Sequence, residues 1–351
     1  MVARTVLLLS HAGEPYVTER VAEELRLRGA QPYRLDTDRL FGDGRFGASI
    51  DMRDRGTVWF RGERLRPDAI WSWRAWPRIE ARRMTEADRA VVNREAHALF
   101  FGALALFDAH WVDPPERVQS AENKLLQLAV ARDVGLRIPD TRVTSDPDAV
   151  RALYDMHGGR IVCKLHAPLD YGMRGSRAFP TRRLRREDLE HIDAVRHGPM
   201  IFQEEIPKAL ELRVAWAGGA AWTGAIDGDE SGIDWRFSKT GSFKRHDLDT
   251  NVKEKLSQLM TRLGLRQACL DLIVTPDGET VFLEVNPTGE WGMLEAELGL
   301  PIAASLGRNP FARRKRKNER THHHVPCRCP PSSNEWLTKF VAGARTPSFF
   351  T

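Results

Sequence analysis

Asp271, Glu284 and Asn286 are the residues of this chain best placed to do chemistry. They sit in the stretch Ala268 to Trp291, ACLDLIVTPDGETVFLEVNPTGEW. Cys269 to Thr275 and Val281 to Val285 read as two strands, and the Asp277-Gly278 pair between them is a strong hairpin signal, because both central residues of a type I′ turn need positive φ. A two-residue turn at Asp277-Gly278 puts Pro276 opposite Glu279 and Asp271 opposite Glu284. Their side chains then share one face, and Asn286, two residues beyond Glu284, points the same way. Facing carboxylates repel unless something positive lies between them. Two acids and an amide are an oxygen-only donor set, which suits a hard divalent cation such as magnesium on phosphates. An exposed hairpin face with polar residues at alternate positions has the same spacing, so spacing alone leaves both readings open.

Five further stretches carry charged groups among apolar ones. Asn123-Lys124 opens a helix that Ser120 is expected to cap and that ends near Val134, with Gly135 as terminator. A cation in a first turn opposes the helix dipole, which an anion would offset; a solvated surface lysine is the plain alternative. Lys164 ends the apolar strand Arg160 to Leu165, and the loop His166 to Ser176 after it holds Gly172 and Gly175. Glycines let backbone N–H groups approach a phosphate. Met200 to Pro207, MIFQEEIP, runs into Glu211-Leu-Arg-Val-Ala215 and contributes Gln203, Glu204, Glu205, Ile206, Glu211 and Arg213. Trp71, Trp73, Arg74, Trp76 and Arg78 form a cluster whose simplest role is packing, with arginine stems over indole rings; a peptide-binding surface is the functional alternative. Lys239, Lys244 and Arg245 suit either a surface role or a peptide carboxylate.

The elements that position these groups are alternating. Thr5–Leu9, Pro15–Arg28 and Pro32–Leu35 read β-α-β and begin an open α/β lobe without a G-x-G-x-x-G fingerprint. Val58–Phe60 and Ala69–Trp73 supply further strands. A helix over Glu86 to Asp108 is apolar at Val91, Ala98, Leu99, Ala103 and Leu106, and Trp111 to Pro115 breaks the chain. Arg182, Arg183, Arg185 and Arg186 are expected to open a helix on a solvated face. Val252 to Leu263 is a core-facing helix, and Leu294 to Leu306 is the last patterned piece.

At 351 residues, 42% hydrophobic and 29% charged, the chain has the length and composition of a multi-lobed globular protein. Val6 to Leu9 is too short an apolar run for a signal peptide, and nothing later approaches a membrane span. Four cysteines with no framework spacing point to a reducing cytoplasm. The net charge of +5 is misleading, because residues 313–351 hold nine Lys and Arg against two Glu. The remainder is slightly acidic, which argues against a nucleic-acid-binding core. His322 to His324 beside Cys327 and Cys329 lack the usual spacing of a metal site, and the composition of the tail predicts disorder.

Taken together, Leu283-Glu-Val-Asn-Pro-Thr-Gly-Glu-Trp291, the upstream Asp271, the Asn123-Lys124 pair, the strand Lys164 with its glycine loop, and Glu204 seven residues before Glu211 resemble the ATP-grasp ligases. The GEW ending is most similar to the microviridin (graspetide) maturases, relatives of the ribosomal-protein glutamate ligases and glutathione synthases. The resemblance runs from about residue 3 to about residue 306 and implies an α/β ATP-grasp fold preceded by an open α/β pre-ATP-grasp domain. It implies a pre-ATP-grasp domain over 1–115 and an ATP-grasp domain over 116–310, with a central lid at about 137–200, a C-terminal lobe at about 201–310 and a basic tail over 311–351. It places Lys124 and Lys164 on ATP phosphates, Gln203, Glu204, Glu205 and Ile206 at adenine, Glu211 on the ribose, and Mg2+ on Asp271, Glu284 and Asn286. Arg213 would neutralise the transferring phosphoryl group or the acyl phosphate. The partner implied is a ribosomal precursor peptide, leader plus core, with no nucleic acid and no membrane, and a homodimer is compatible with it. Two other functions remain open on sequence alone: a ligase adding free amino acids, and a non-catalytic nucleotide- or peptide-binding protein on the same scaffold.

Overall fold

A computed structural model describes residues 3–41, 45–52, 56–75, 77, 79, 84–165, 181–233 and 242–308. The expected glycine loop after Lys164, Trp76, Arg78, Lys239 and the basic tail lie outside the described residues. No described helix is long and apolar enough to cross a membrane.

The chain opens with β1 (Thr5–Ser10), α1 (Tyr16–Leu27) and β2 (Gln31–Asp36), followed by β3 (Phe46–Ser49), β4 (Thr57–Phe60), β5 (Glu63–Arg64), β6 (Ala69–Ser72), α2 (Glu86–Ala105) and β7 (His110–Val112). Strands β2-β1-β6-β7 form a parallel sheet, and β3-β4-β5 a small antiparallel one. Helix α2 is where periodicity misled. Its core-facing residues are Ala96, Phe100, Ala103 and Leu104, whereas Val91 and Ala98 are exposed. Apolar residues all round this helix let more than one face be drawn, and the bulk of Phe100 decides which one is buried.

Helices α3 (Pro115–Ala121) and α4 (Lys124–Asp133) come next. Ser120 lies inside α3 and does not cap α4. That cap is Asn123, whose side chain accepts from the Leu126 N–H at 3.1 Å, so Lys124 is the first residue of α4. A second sheet, β10-β9-β11-β8, is built from β8 (Thr141–Thr144), β9 (Ile161–Lys164), β10 (Arg182–Arg183) and β11 (Met200–Glu204). It is covered by α5 (Pro147–Met156) and a 3₁₀ helix over Arg186–His197. Arg182 and Arg183 are thus a strand, not a helix start; they pair with Cys163 and Val162 while their side chains stay exposed.

The third sheet, β14-β13-β12-β15-β16, is antiparallel. It consists of β12 (Leu210–Ala217), β13 (Ala220–Asp227), β14 (Lys244–His246), β15 (Gln267–Val274) and β16 (Thr280–Asn286), with α6 (Gly228–Ser231) after β13. One face, with Leu212, Val214, Trp216, Leu270, Leu272, Phe282 and Val285, packs on α4 and on α7 (Thr250–Leu263). The other face meets the first lobe. Ala215, Ala217, Ile226 and Cys269 share one core with Val6, Leu8, Val17, Val21, Trp71, Trp73 and Val112. The last patterned piece is two helices, α8 (Gly292–Leu298) and α9 (Ile302–Arg308), broken at Gly299, which takes the left-handed conformation, and at Pro301.

Candidate active site

The β15–β16 hairpin differs from the expected one in two compensating ways. Its loop has three residues, Pro276-Asp277-Gly278: the Thr275 N–H donates to the Glu279 carbonyl and the Gly278 N–H to the Thr275 carbonyl, both at 2.9 Å. Pro276 suits the first central position of such a turn, and Gly278 takes φ +88° at its end. The register that follows pairs Val274 with Thr280, Ile273 with Val281 and Leu272 with Phe282. Continued, it would set Leu283 opposite Asp271 and turn Glu284 to the far face. A β-bulge between Asp271 and Leu272 restores the predicted Asp271–Glu284 pair. The extra residue is Leu283, which packs on the site side with Ile206, Ile273 and Val281.

Three strands then carry one charged row: Arg213 on β12 pairs with Asp271 on β15, and Asp271 with Glu284 on β16. The carboxylates that seemed to require an external cation already have internal ones. Arg213 Nη1 donates to both Asp271 oxygens, at 2.7 and 3.0 Å. Lys124 Nζ lies 3.1 Å from Glu284 Oε2 and 3.4 Å from Asn286 Oδ1. The Asn286 amide sits between the acids, its Nδ2 donating to Asp271 Oδ2 at 3.1 Å and to Glu284 Oε1 at 3.0 Å. An amide N–H that satisfies two carboxylates at once marks a point where positive charge is favoured. Burial would raise the Glu284 pKa, but Lys124 and then Lys164 outweigh it and hold the carboxyl well below its usual range. Burial raises that of Asp271 despite the Arg213 guanidinium.

Buried Gln127, one turn along α4 from Lys124, fixes this edge of the sheet. It exchanges hydrogen bonds with the backbone of Val285, Nε2 to the carbonyl at 2.7 Å and N–H to Oε1 at 2.9 Å. Helix α4 therefore both covers the edge strand and delivers Lys124 to Glu284.

Along the same sheet face the residue types change in order. Beyond the charged row lie Glu211, paired in register with Ile273, and the apolar wall of Ile206, Ile273, Val281 and Leu283. Glu211 is ion-paired with Lys208. Glu204 accepts from the Asp140 N–H at 3.2 Å and faces Arg137 at 3.9 Å. Two of the hinge residues point elsewhere. Gln203 is buried and donates to Thr141 Oγ1 at 2.9 Å, and Glu205 grips Arg183 of β10, accepting from its Nε with both oxygens. Lys164 lies at the end of β9, near enough for its charge to act on Glu284.

On the other side of the charged row is the loop after β16, which the sequence reading did not resolve. Arg213 Nη2 donates to the Glu290 carbonyl at 3.1 Å, and the Cys269 thiol donates to the Gly289 and Glu290 carbonyls at 3.2 Å each. A Cβ on Gly289 would stand 2.7 Å from Cys269 Cβ and 2.9 Å from both Arg213 Nη2 and Asn286 Cβ, so the chain passes there only as glycine. Arg74 reaches the same loop from the first lobe. Of the tryptophan–arginine cluster, Trp71 and Trp73 are buried and stacked at 5.8 Å, which is the packing role.

Among the described residues no three His, Cys, Asp or Glu gather as a metal-binding group. Asp271, Glu284 and Asn286 bring two acids and an amide together, a donor set that fits magnesium with its remaining positions left for water or phosphate.

A parallel-sheet lobe packed on an antiparallel sheet with a charged, oxygen-rich face, and a smaller sheet carrying Lys164, define an ATP-grasp ligase with a pre-ATP-grasp domain. Residues 5–119 match the family model described as the MvdD pre-ATP grasp domain. Macrocyclase MdnB from Microcystis aeruginosa MRC is 37% identical, over 87% of this chain and 98% of that one, with a TM-score of 0.74. Macrocyclase MdnC from the same organism, determined bound with precursor peptide MdnA, is 28% identical over 86% and 97%, with a TM-score of 0.76. The ATP-grasp ligase PsnB, determined with a phosphomimetic variant of minimal precursor, Mg and ADP, shares the fold at 22% identity over 88% and 97%, with a TM-score of 0.69. No curated protein matches the chain. The chain belongs to the graspetide-type ATP-grasp peptide maturases and is an enzyme of the ligase class.

Proposed function

We propose that this protein is an ATP- and magnesium-dependent carboxylate ligase that activates Asp or Glu side chains of a ribosomal precursor peptide as acyl phosphates. It then closes ω-ester or ω-amide macrocycles in that peptide. The observation that carries the reading is the row Arg213–Asp271–Glu284 with Asn286 and Lys124 converging on it. Residues 1–115 serve as the pre-ATP-grasp domain and 116–310 as the catalytic one, in the cytoplasm.

Adenine lies against Ile206, Ile273, Val281 and Leu283, with the hinge Gln203 to Ile206 beside it, and Glu211 accepts from the ribose hydroxyls. Glu211 exchanges its Lys208 partner for the ribose when nucleotide binds. Lys124 and Lys164 hold the phosphates. Asp271, Glu284 and Asn286 would hold magnesium through their side-chain oxygens. When bound, the metal would supply charge neutralisation to the nucleotide phosphates.

Chemistry then asks little covalent work of the protein. A peptide carboxylate oxygen bonds to the γ-phosphorus as the bond to ADP breaks. A Ser or Thr hydroxyl, or a Lys amine, attacks the acyl carbon, and phosphate leaves. The peptide loses one water per ring: a carboxylate oxygen leaves in the phosphate, and the proton of the attacking hydroxyl or amine is released to phosphate or solvent. Arg213 lies beside the charge that develops, where a fixed guanidinium has most effect.

The test is mass spectrometry on the purified protein with ATP, magnesium and a Thr- and Glu-rich precursor carrying its leader. Product mass should fall by one water for each bond. A mass that rises with free glutamate and never falls with precursor would make the protein an amino-acid-adding ligase. Glu284→Gln removes one charge from the metal end and should abolish turnover; near-normal ADP release at saturating magnesium would sink the assignment.

A further inference from the structure

We propose that Arg74, on the loop after β6, is a positioning residue for Arg213 and acts through the 287–291 loop; this rests on the ligase reading of the Arg213–Asp271–Glu284 row. Arg74 has φ +50°, a left-handed conformation that non-glycine residues seldom adopt. Such strain persists only where surrounding contacts hold it. Here they do. The guanidinium lies over the Trp73 ring, 5.6 Å from its centroid. Its Nε donates to the Thr288 carbonyl at 3.0 Å, and its Nη1 stands 3.7 Å from Glu290 Oε2.

The residues it holds are the ones that hold Arg213. The Glu290 carbonyl accepts from Arg213 Nη2, and Gly289 leaves room for that nitrogen. Cys269 secures the loop from the sheet side, through the carbonyls of Gly289 and Glu290. Arg74 secures it from the first lobe. Trp73 adds an edge contact to Trp291 at 6.0 Å, at the end of the same loop. Without Arg74 the loop loses its hydrogen bond at Thr288 and the cation facing Glu290. It keeps the Cys269 bonds and the Trp73–Trp291 contact, and holds the Glu290 carbonyl that fixes Arg213 less firmly.

A plain packing contact between lobes would have the same distances, so the test must separate the two. Arg74→Gly adopts φ +50° without strain and removes the side chain, so the backbone is not a source of damage. The first readout is hydrogen exchange in the resting protein. Amides of 288–292 should exchange faster in Arg74→Gly while β15 and β16 remain protected. The second is ADP release with precursor. kcat should fall roughly 10–100-fold, the penalty of a misplaced catalytic group, with KM for ATP unchanged. Arg74→Lys, which can still reach a carbonyl, should recover part of both. Unchanged exchange at 288–292 would overturn the proposal. So would a lowered melting temperature with normal kcat, which marks packing, or a raised KM for precursor with normal kcat, which marks a substrate contact. A wild-type enzyme that never dehydrates its precursor would refute the macrocyclase reading, and the exchange arm would still decide the role of Arg74.

Discussion

Asp271 and Glu284 face each other across two strands, yet their surroundings treat them oppositely. Asp271 sits deeper, chelated by Arg213, and burial raises its pKa. Glu284 meets two lysines that offset its burial, so it keeps its charge through the physiological range. In the charged row, Asp271 is thus balanced from β12 and Glu284 from α4 and β9. This division depends on one small residue. The contacts that a Cβ at Gly289 would meet include two Cβ atoms, of Cys269 and Asn286, which cannot move without their strands. Gly289→Ala should destabilise the protein by about 1–3 kcal/mol, the usual effect of overpacking. It should lower ADP release at least tenfold by displacing Arg213. A variant with wild-type kcat and melting temperature would show that the loop relaxes freely.

At the scale of elements, β15 is held at its first residues by the first lobe. Asp113, just after β7, accepts from the backbone N–H of Arg266 at 2.9 and 3.0 Å and from that of Gln267 at 3.1 Å. Gln267 in turn accepts from Trp71 Nε1 at 2.8 Å and donates to the Ser72 carbonyl at 3.1 Å. Burial pushes the Asp113 carboxyl up to about 7, against the two backbone donors and the Arg266 charge; His110 packs beside that arginine. An unfolded aspartate ionises near 3.9, so between about pH 4 and pH 7 the folded state binds more protons than the unfolded one. Stability should therefore fall as pH rises through that window and level off above it. The span is on the order of 4 kcal/mol at most. Asp113→Asn should flatten this part of the profile of melting temperature against pH; an unchanged slope would assign it to other groups. Asp113 was legible only as part of a chain break, because the amides that it binds lie far along the sequence. The same limit explains the hairpin. Its facing acids were readable from alternation and a turn signal, but the three-residue loop and the bulge cancel in their effect on register, and no local residue type announces either. Lys124 was readable as a misplaced cation, whereas its cap was not, since Ser120 and Asn123 are both good caps and tertiary packing chose between them.

At the scale of the whole molecule, one face of the first sheet and one face of the antiparallel sheet share a single core. Leu8, Val17 and Trp73 pack into the cluster that holds Ala215, Cys269, Trp291 and Leu294. Glu295, largely buried on α8, accepts from Arg20 of α1 at 2.8 Å and from the Ala303 N–H of α9 at 2.8 Å. The charged row thus lies on the same sheet face that the first lobe covers further along, while α4 and α7 cover the opposite face. By contrast, the sheet carrying Lys164 has its own cluster, Val150, Leu153, Ile161, Cys163, Leu184, Ile192, Val195 and Phe202. Cooperative units follow shared cores, so the two kinds of contact should respond differently to cavities. Leu8→Ala should cost about 2–5 kcal/mol. Its effect should spread, accelerating hydrogen exchange in β12 and β15 as well as in β1 and β6. Leu153→Ala should cost a similar amount locally and accelerate exchange in β8, β9 and β11, with β12 and β15 still protected. If Leu8→Ala loosened only the first lobe, the two sheets would be separate folding units and the first lobe would not be a structural part of the active site. If Leu153→Ala loosened β12 and β15 as well, the Lys164 sheet would not be a cooperative unit independent of the antiparallel sheet.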